Sequence, residues 1–144
     1  MARGGLPQGY EDSGQEGRLR SGITFDTGAL IALERRGHRA RQVVERAMEA
    51  KIRITVPAAV ILEWWRGRSD TRELIVAAIR IEPLSETLAK VAGEALAAVK
   101  NATAVDAVVM ASAAQRGDIV YTSDVDELQR LRSHFPAVRV LGIG

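Results

Sequence analysis

Apolar positions along the chain fall into short runs of strand-forming residues, separated by longer stretches with helical spacing. The first run, Ile23-Thr24-Phe25, ends at Asp26-Thr27-Gly28, a turn suited to cap a helix that begins near Ala29 and continues to Leu33. A cationic polar turn over 34–39 follows, and helical periodicity resumes over 40–50 through Val43, Val44, Ala47 and Met48. Residues 52–56 predict a second strand, and Pro57 is suited to open a helix over 58–66. Ser69-Asp70-Thr71 caps a helix to about residue 78, and 79–81 form a short strand before Pro83. Ser85 caps a helix to 99, and Thr103 starts another over 104–115 that ends near Gly117. Residues 118–122 predict the fourth strand, 123–132 the last helix and 138–141 a final edge strand.

This alternation predicts a three-layer α/β domain with a mostly parallel central sheet and helices on both faces. A chain of 144 residues that is 47% apolar suffices for one domain with a substantial core. Residues 1–21 are glycine-rich, lack apolar periodicity and balance three arginines with three acids. They are expected to form a flexible N-terminal extension to a folded domain over 22–144.

Charge and cysteine content narrow the classes. With 20 Lys plus Arg against 18 Asp plus Glu, the formal charge of +2 gives no global cationic field, so a nucleic-acid partner has to use a local patch. The absence of cysteine excludes disulfides and thiolate metal ligands and fits a reducing compartment. No apolar stretch has the length of a membrane helix, and the N-terminus lacks the order of a signal peptide. The expectation is a soluble cytoplasmic protein with no membrane partner.

The acids carry the candidate chemistry. Asp26 and Asp124 follow the first and fourth strands, at the end of an α/β sheet where ligands bind. Glu63 and Asp106 interrupt apolar helices, where burying a carboxylate is costly unless a cation or donor compensates. Local readings exist for each: Asp26 with Thr27 as a cap, Glu63 paired with Arg66, Thr103 with Asp106 as a capping box, and Asp124 with Glu127 or Ser123 with Asp126 as another. None of these requires Asp26, Glu63 and Asp106 to meet. Carboxylates that do meet repel one another without cations, and oxygen ligands suit Mg²⁺ or Mn²⁺. Capping and metal holding both remain open at this point.

Arg35, Arg36, Arg39 and Arg41 form the densest basic stretch, and Arg66, Arg68 and Arg72 a second. Arg35, Arg36, Arg39, Arg66 and Arg68 are candidate RNA contacts, against the plainer reading of a solvated polar surface. Trp64 and Trp65 read as core or dimer-interface residues in preference to base-stacking ones. His38 and His134 lack paired metal-ligand spacing.

Four fragments in order carry a resemblance: Phe-Asp-Thr-Gly-Ala-Leu-Ile-Ala-Leu at 25–33, Val-Pro-Ala-Ala-Val-Ile-Leu-Glu-Trp-Trp-Arg-Gly at 56–67, Val-Asp-Ala-Val-Val-Met-Ala-Ser-Ala at 105–113, and Tyr-Thr-Ser-Asp-Val-Asp-Glu-Leu at 121–128. Over residues 23–142 the chain resembles the PIN-domain ribonucleases, particularly the VapC-like toxins of type II toxin–antitoxin pairs. The resemblance implies a PIN-like fold and a Mg²⁺- or Mn²⁺-dependent endoribonuclease that hydrolyses RNA phosphodiester bonds with one or two metal ions. It implies Asp26, Glu63, Asp106 and Asp124 as catalytic acids, the three aspartates as metal ligands, and Glu63 as a direct ligand, a water-mediated one or the group that orients the nucleophile. Glu127 takes the place of an accessory acid that is often aspartate, with Asp126, Thr27 and Thr122 in supporting positions. Gly28 stands where many relatives have Ser or Ala. The implied partners are an RNA substrate, a cognate antitoxin that covers or enters the cleft, and a homodimer or a toxin–antitoxin hetero-oligomer. The alternatives are a non-catalytic RNA- or protein-interaction domain and a metal-dependent DNA nuclease.

Overall fold

A computed structural model of the chain describes residues 3–4, 6–7 and 22–143. Five strands, β1 (Ile23–Phe25), β2 (Ile54–Pro57), β3 (Arg80–Glu82), β4 (Ile119–Thr122) and β5 (Arg139–Gly142), form one sheet in the order β3-β2-β1-β4-β5. Every pairing is parallel, with Ile23 opposite both Ile54 and Ile119. β1 and β2 are buried at every position, as a strand covered on both faces requires, so neither shows the alternation of a half-exposed strand.

The helices are α1 (Thr27–Glu34), α2 (His38–Ala50), α3 (Ala58–Trp64), α4 (Asp70–Ala78), α5 (Glu86–Ala98), α6 (Ala104–Arg116) and α7 (Val125–Gln129), the last followed by a 3₁₀ turn over Arg130–Ser133. The chain steps outward from β1 to β2 to β3, then returns to β4 and β5 on the other side of β1. Right-handed crossovers therefore put α1–α4 over one face and α5–α7 over the other. In α6 the seven residues Ala107 to Ala113 are all buried, because α6 packs against β1, β2 and β4 beneath it and α5 beside it. The strand order reverses between β1 and β4, and the crevice beyond their carboxyl ends is the usual ligand position in such a sheet.

The expected elements are all present, with boundaries displaced for identifiable reasons. α1 begins at Thr27, two residues early, because Asp26 is itself the N-cap and accepts from the Ala29 N–H. Pro57 closes β2 and stands at the N-cap of α3, which begins at Ala58 as expected. α3 stops at Trp64, since Trp65 turns extended and Gly67 takes a φ of +106°, a left-handed value that favours glycine. Ser69, Ser85 and Thr103 cap α4, α5 and α6, and Gly117 ends α6 at a φ of +73°. Of the expected extension over 1–21, Arg3–Gly4 and Leu6–Pro7 pair as a two-residue antiparallel ladder, and the rest lies outside the described residues.

An ion network ties β1, β3 and the residue before β4 to α6. Arg116 donates to Glu82 Oε2 at 2.7 Å, to Asp118 Oδ2 at 2.8 Å, and to the hydroxyls of Thr24 and Ser112 at 2.9 Å each. Thr24 in turn donates to Asp118 Oδ2 at 2.9 Å, and Ser112 to Glu82 Oε1 at 2.5 Å. Gly22 lies close beside it: a Cβ there would stand 2.5 Å from Asp118 Oδ1, so the carboxylate would have to shift.

Candidate metal centre

The crevice at the strand-order reversal is built from the ends of β1 and β4, the last turn of α3 and the starts of α6 and α7. Asp26, immediately after β1, is 8% exposed, and both its oxygens are engaged. Oδ1 accepts from the Ala29 N–H at 2.8 Å, and Oδ2 accepts from the Thr122 hydroxyl at 2.5 Å. Thr122 Oγ1 also accepts from the Asp124 N–H at 3.0 Å, so one hydroxyl aligns the two acids that end adjacent strands. Asp124 caps α7 by accepting from the Glu127 N–H at 3.4 Å, which selects this pair over Ser123 with Asp126.

From the neighbouring layers come Glu63 and Asp106. Glu63 projects from α3 and accepts from the Thr27 hydroxyl at 2.5 Å, which fixes it to the first turn of α1. Asp106 sits in the first turn of α6, its N–H donating to Thr103 Oγ1 at 3.1 Å. Asp26 and Asp124 are themselves helix N-caps, while Thr103 caps α6 beside Asp106.

Electrostatics indicate which acids act on one another. Burial raises the Asp26 pKa from 3.8 to about 6; hydrogen bonds from Thr122 and Ala29 oppose this, and the charges of Asp106 and Glu127 add to it. Asp106 is also raised, first by burial, against its hydrogen bond with Thr103, and further by Glu127, Glu63 and Asp124. Asp26, Glu63, Asp106, Asp124 and Glu127 therefore share one field. Asp126 is exposed and is not among the charges acting on Asp26 or Asp106.

The donor set is oxygen only and strongly anionic, which fits a hard divalent cation. Among the described residues no group of three or more His, Asp or Glu side chains is placed to hold a metal ion.

The arginines divide. Arg35 and Arg66 line a cleft with Glu63, together with Ile31, Glu34, Trp64 and Arg72. Arg36 and Arg41 line a separate, more apolar groove with Leu33, Val44 and Leu74. Arg68 is engaged on the surface by Glu73 at 3.1 Å and Asp70 at 4.0 Å, and Arg39 is exposed on α2 and lines neither cavity. Trp64 is a core residue, 3% exposed, and its indole N–H donates to Glu34 Oε1 at 3.0 Å; Trp65 is partly buried against the same core. Nothing in the sequence announces Glu34 and Arg72 as a pair, because they lie far apart in the chain, in a polar turn and an amphipathic helix.

A family model described as the PIN domain matches residues 23–133. No curated protein sequence matches the chain. Among solved structures, the fold is similar to that of DNA-bound VapBC from Salmonella typhimurium, with a TM-score of 0.69 and 14% identity over 86% of this chain and 99% of that one. It is also similar to VapBC2 from Rickettsia felis bound to a promoter DNA fragment, with a TM-score of 0.65 and 12% identity over 83% of this chain and 97% of that one. A toxin–antitoxin complex from Klebsiella pneumoniae gives a TM-score of 0.63 and 20% identity over 81% and 94% of the two chains.

Proposed function

This chain belongs to the PIN-domain family, and on that premise we propose that it is a Mg²⁺- or Mn²⁺-dependent endoribonuclease, the toxin of a toxin–antitoxin pair. The observation that carries the reading is the shared field of Asp26, Glu63, Asp106, Asp124 and Glu127 at the reversal of strand order. Asp26, Asp106 and Asp124 would hold the metal, which when bound supplies charge neutralisation and an activated water for attack on an RNA phosphate.

The protein's own groups supply the positioning. Thr122 and the Ala29 N–H fix both oxygens of Asp26 before substrate arrives, so little reorganisation is left for the reaction. Thr27 occupies Glu63 Oε1, leaving Oε2 to accept a proton or orient a water. Glu127 adds negative charge beside Asp26 and Asp106, which strengthens cation binding from outside the ligand set.

The partner proposed is a cognate antitoxin, since the structures of similar fold include toxin–antitoxin complexes. A homodimer or toxin–antitoxin hetero-oligomer in the cytoplasm accords with this, and among the described residues no helix is long and apolar enough to cross a membrane. Co-purification with the neighbouring gene product and measurement of size test it; a monomer indifferent to that product contradicts it. The activity is tested by offering structured RNA, unstructured RNA and DNA of matched sequence with Mg²⁺ or Mn²⁺. The expected result is RNA cleavage that EDTA abolishes; preferential DNA cleavage, or RNA binding without metal-stimulated turnover, contradicts it.

A further inference from the structure

Beside the acids lies a cleft of about 450 Å³ whose floor and walls come from α1, α3 and α4. Glu63 forms the edge it shares with the candidate metal centre. Three guanidinium groups line it, but they are not equivalent. Arg72 is committed: it pairs with Glu34 Oε2 at 2.9 Å and donates to the Gly67 carbonyl at 2.9 Å, and its Nε is buried without a hydrogen-bond partner among the described residues. Glu34 is held from its other oxygen by the Trp64 indole.

Arg35 and Arg66 are exposed and have no acidic partner among the described residues; Arg66 donates only to the neighbouring Trp65 carbonyl at 3.3 Å. Two guanidinium groups without an ion pair therefore line a concave space that also holds two acids, Glu34, paired with Arg72, and Glu63, bound by the Thr27 hydroxyl at the edge toward the other carboxylates. A diffuse solvated surface would not need a wall built from a buried indole, a carboxylate and a third arginine. The chemistry of the lining suits a mobile oxyanion that guanidinium groups grip in a planar fork.

We propose that this cleft is a subsite for a backbone phosphate of the substrate strand flanking the bond that is cut, contacted by Arg35 and Arg66 and bounded by the Glu34–Arg72 pair. The assignment rests on the nuclease reading for its substrate, but it makes a claim about binding that holds without turnover. It also separates Arg35 and Arg66 from Arg68, whose charge Glu73 and Asp70 already engage.

The test is the salt dependence of binding a labelled single-stranded oligoribonucleotide, measured in the Asp26→Asn protein so that the probe is not consumed. Arg35→Ala with Arg66→Ala is expected to reduce the slope of log affinity against log salt by about 1.4, the value for two single-strand phosphate contacts. Arg53→Ala with Arg139→Ala removes the same charge at the amino ends of β2 and β5, away from the crevice, and is expected to leave the slope unchanged. Arg35→Lys with Arg66→Lys should restore most of the slope, which a mere loss of folding would not allow. An unchanged slope in the cleft variant, an equal change in both double variants, or no measurable binding of the probe overturns the subsite. If wild type fails to cleave RNA yet the cleft variant alone loses slope, the nuclease reading fails and the subsite stands. If wild type cleaves RNA and the cleft variant keeps its slope, the subsite fails and the nuclease reading stands.

Discussion

Thr122 Oγ1 donates a 2.5 Å hydrogen bond to Asp26 Oδ2, joining the last residue of β4 to the residue that follows β1. Because the same oxygen receives the Asp124 N–H, two of the three proposed ligands share one hydroxyl as their reference point. Thr122→Val keeps the shape and removes both interactions. Its metal-dependent RNA cleavage should fall about 10- to 100-fold with the fold intact, the usual cost of losing a group that orients a ligand. Thr122→Ser should keep most of the rate. Single-turnover cleavage beside circular dichroism checks both, and a fully active valine variant would remove Thr122 from the account.

Burial holds the Asp26 pKa at about 6, above its ordinary 3.8, so the folded state binds this proton more tightly than the unfolded chain does. Ionising it therefore costs stability. Without divalent metal, unfolding free energy should fall as pH rises from about 4 to about 6, by at most roughly 3 kcal/mol, and Asp106 should act in the same direction. Asp26→Asn should flatten much of this slope and be the more stable protein at pH 8 in EDTA. Denaturant titrations across the range test the sign; stability that rises with pH over this window in EDTA would contradict it.

Gly28 lies in the first turn of α1 against Ser123, and an added Cβ would collide with the Ser123 hydroxyl and stand 3.3 Å from its backbone nitrogen. Gly28→Ala should therefore press on the loop that carries Asp124, costing about 1 kcal/mol of stability and lowering cleavage. Ser123→Gly should relieve it. A double-mutant cycle in thermal unfolding and in rate reads the coupling, and strict additivity would show that the close approach is harmless.

Removing Arg116 leaves Glu82 and Asp118 as partly or fully buried carboxylates without their cation. Arg116→Ala should destabilise the domain by about 3 kcal/mol, well beyond the effect of Lys90→Ala, whose pair with Glu86 is exposed. Chemical denaturation distinguishes the two; equal costs would mean the network is a surface feature.

The elements are legible in the sequence because each carries its own local signal. Ser69, Ser85 and Thr103 stand where caps are needed, and the β-branched and aromatic residues of β1 and β2, Thr24 and Thr55 included, match strands covered on both faces. Asp26 and Asp106 stand out because burying an acid at a strand end or within an apolar helix is expensive, and the fold buries the first and half-buries the second; Glu63 and Asp124 are exposed, so the burial cost expected for Glu63 does not arise. Which acids meet is a different matter, since their chain separations exceed any periodicity; only the packed layers put Glu127 in the field and leave Asp126 outside it. Long-range ion pairs such as Glu34 with Arg72 and Glu82 with Arg116 are illegible for the same reason. The end of α3 is hidden because Trp65, as apolar as Trp64, extends the pattern by one residue although its backbone turns extended.

The central claim is that the clustered carboxylates act together through a divalent cation. The most direct measurement is the single-turnover rate of RNA cleavage as Mn²⁺ is raised, compared between wild type and Asp26→Asn. The account predicts a saturable metal-dependent rate in wild type and a loss of at least about 100-fold (roughly 3 kcal/mol of barrier) in the variant. Cleavage that persists in EDTA and is unaffected by Asp26→Asn would contradict it.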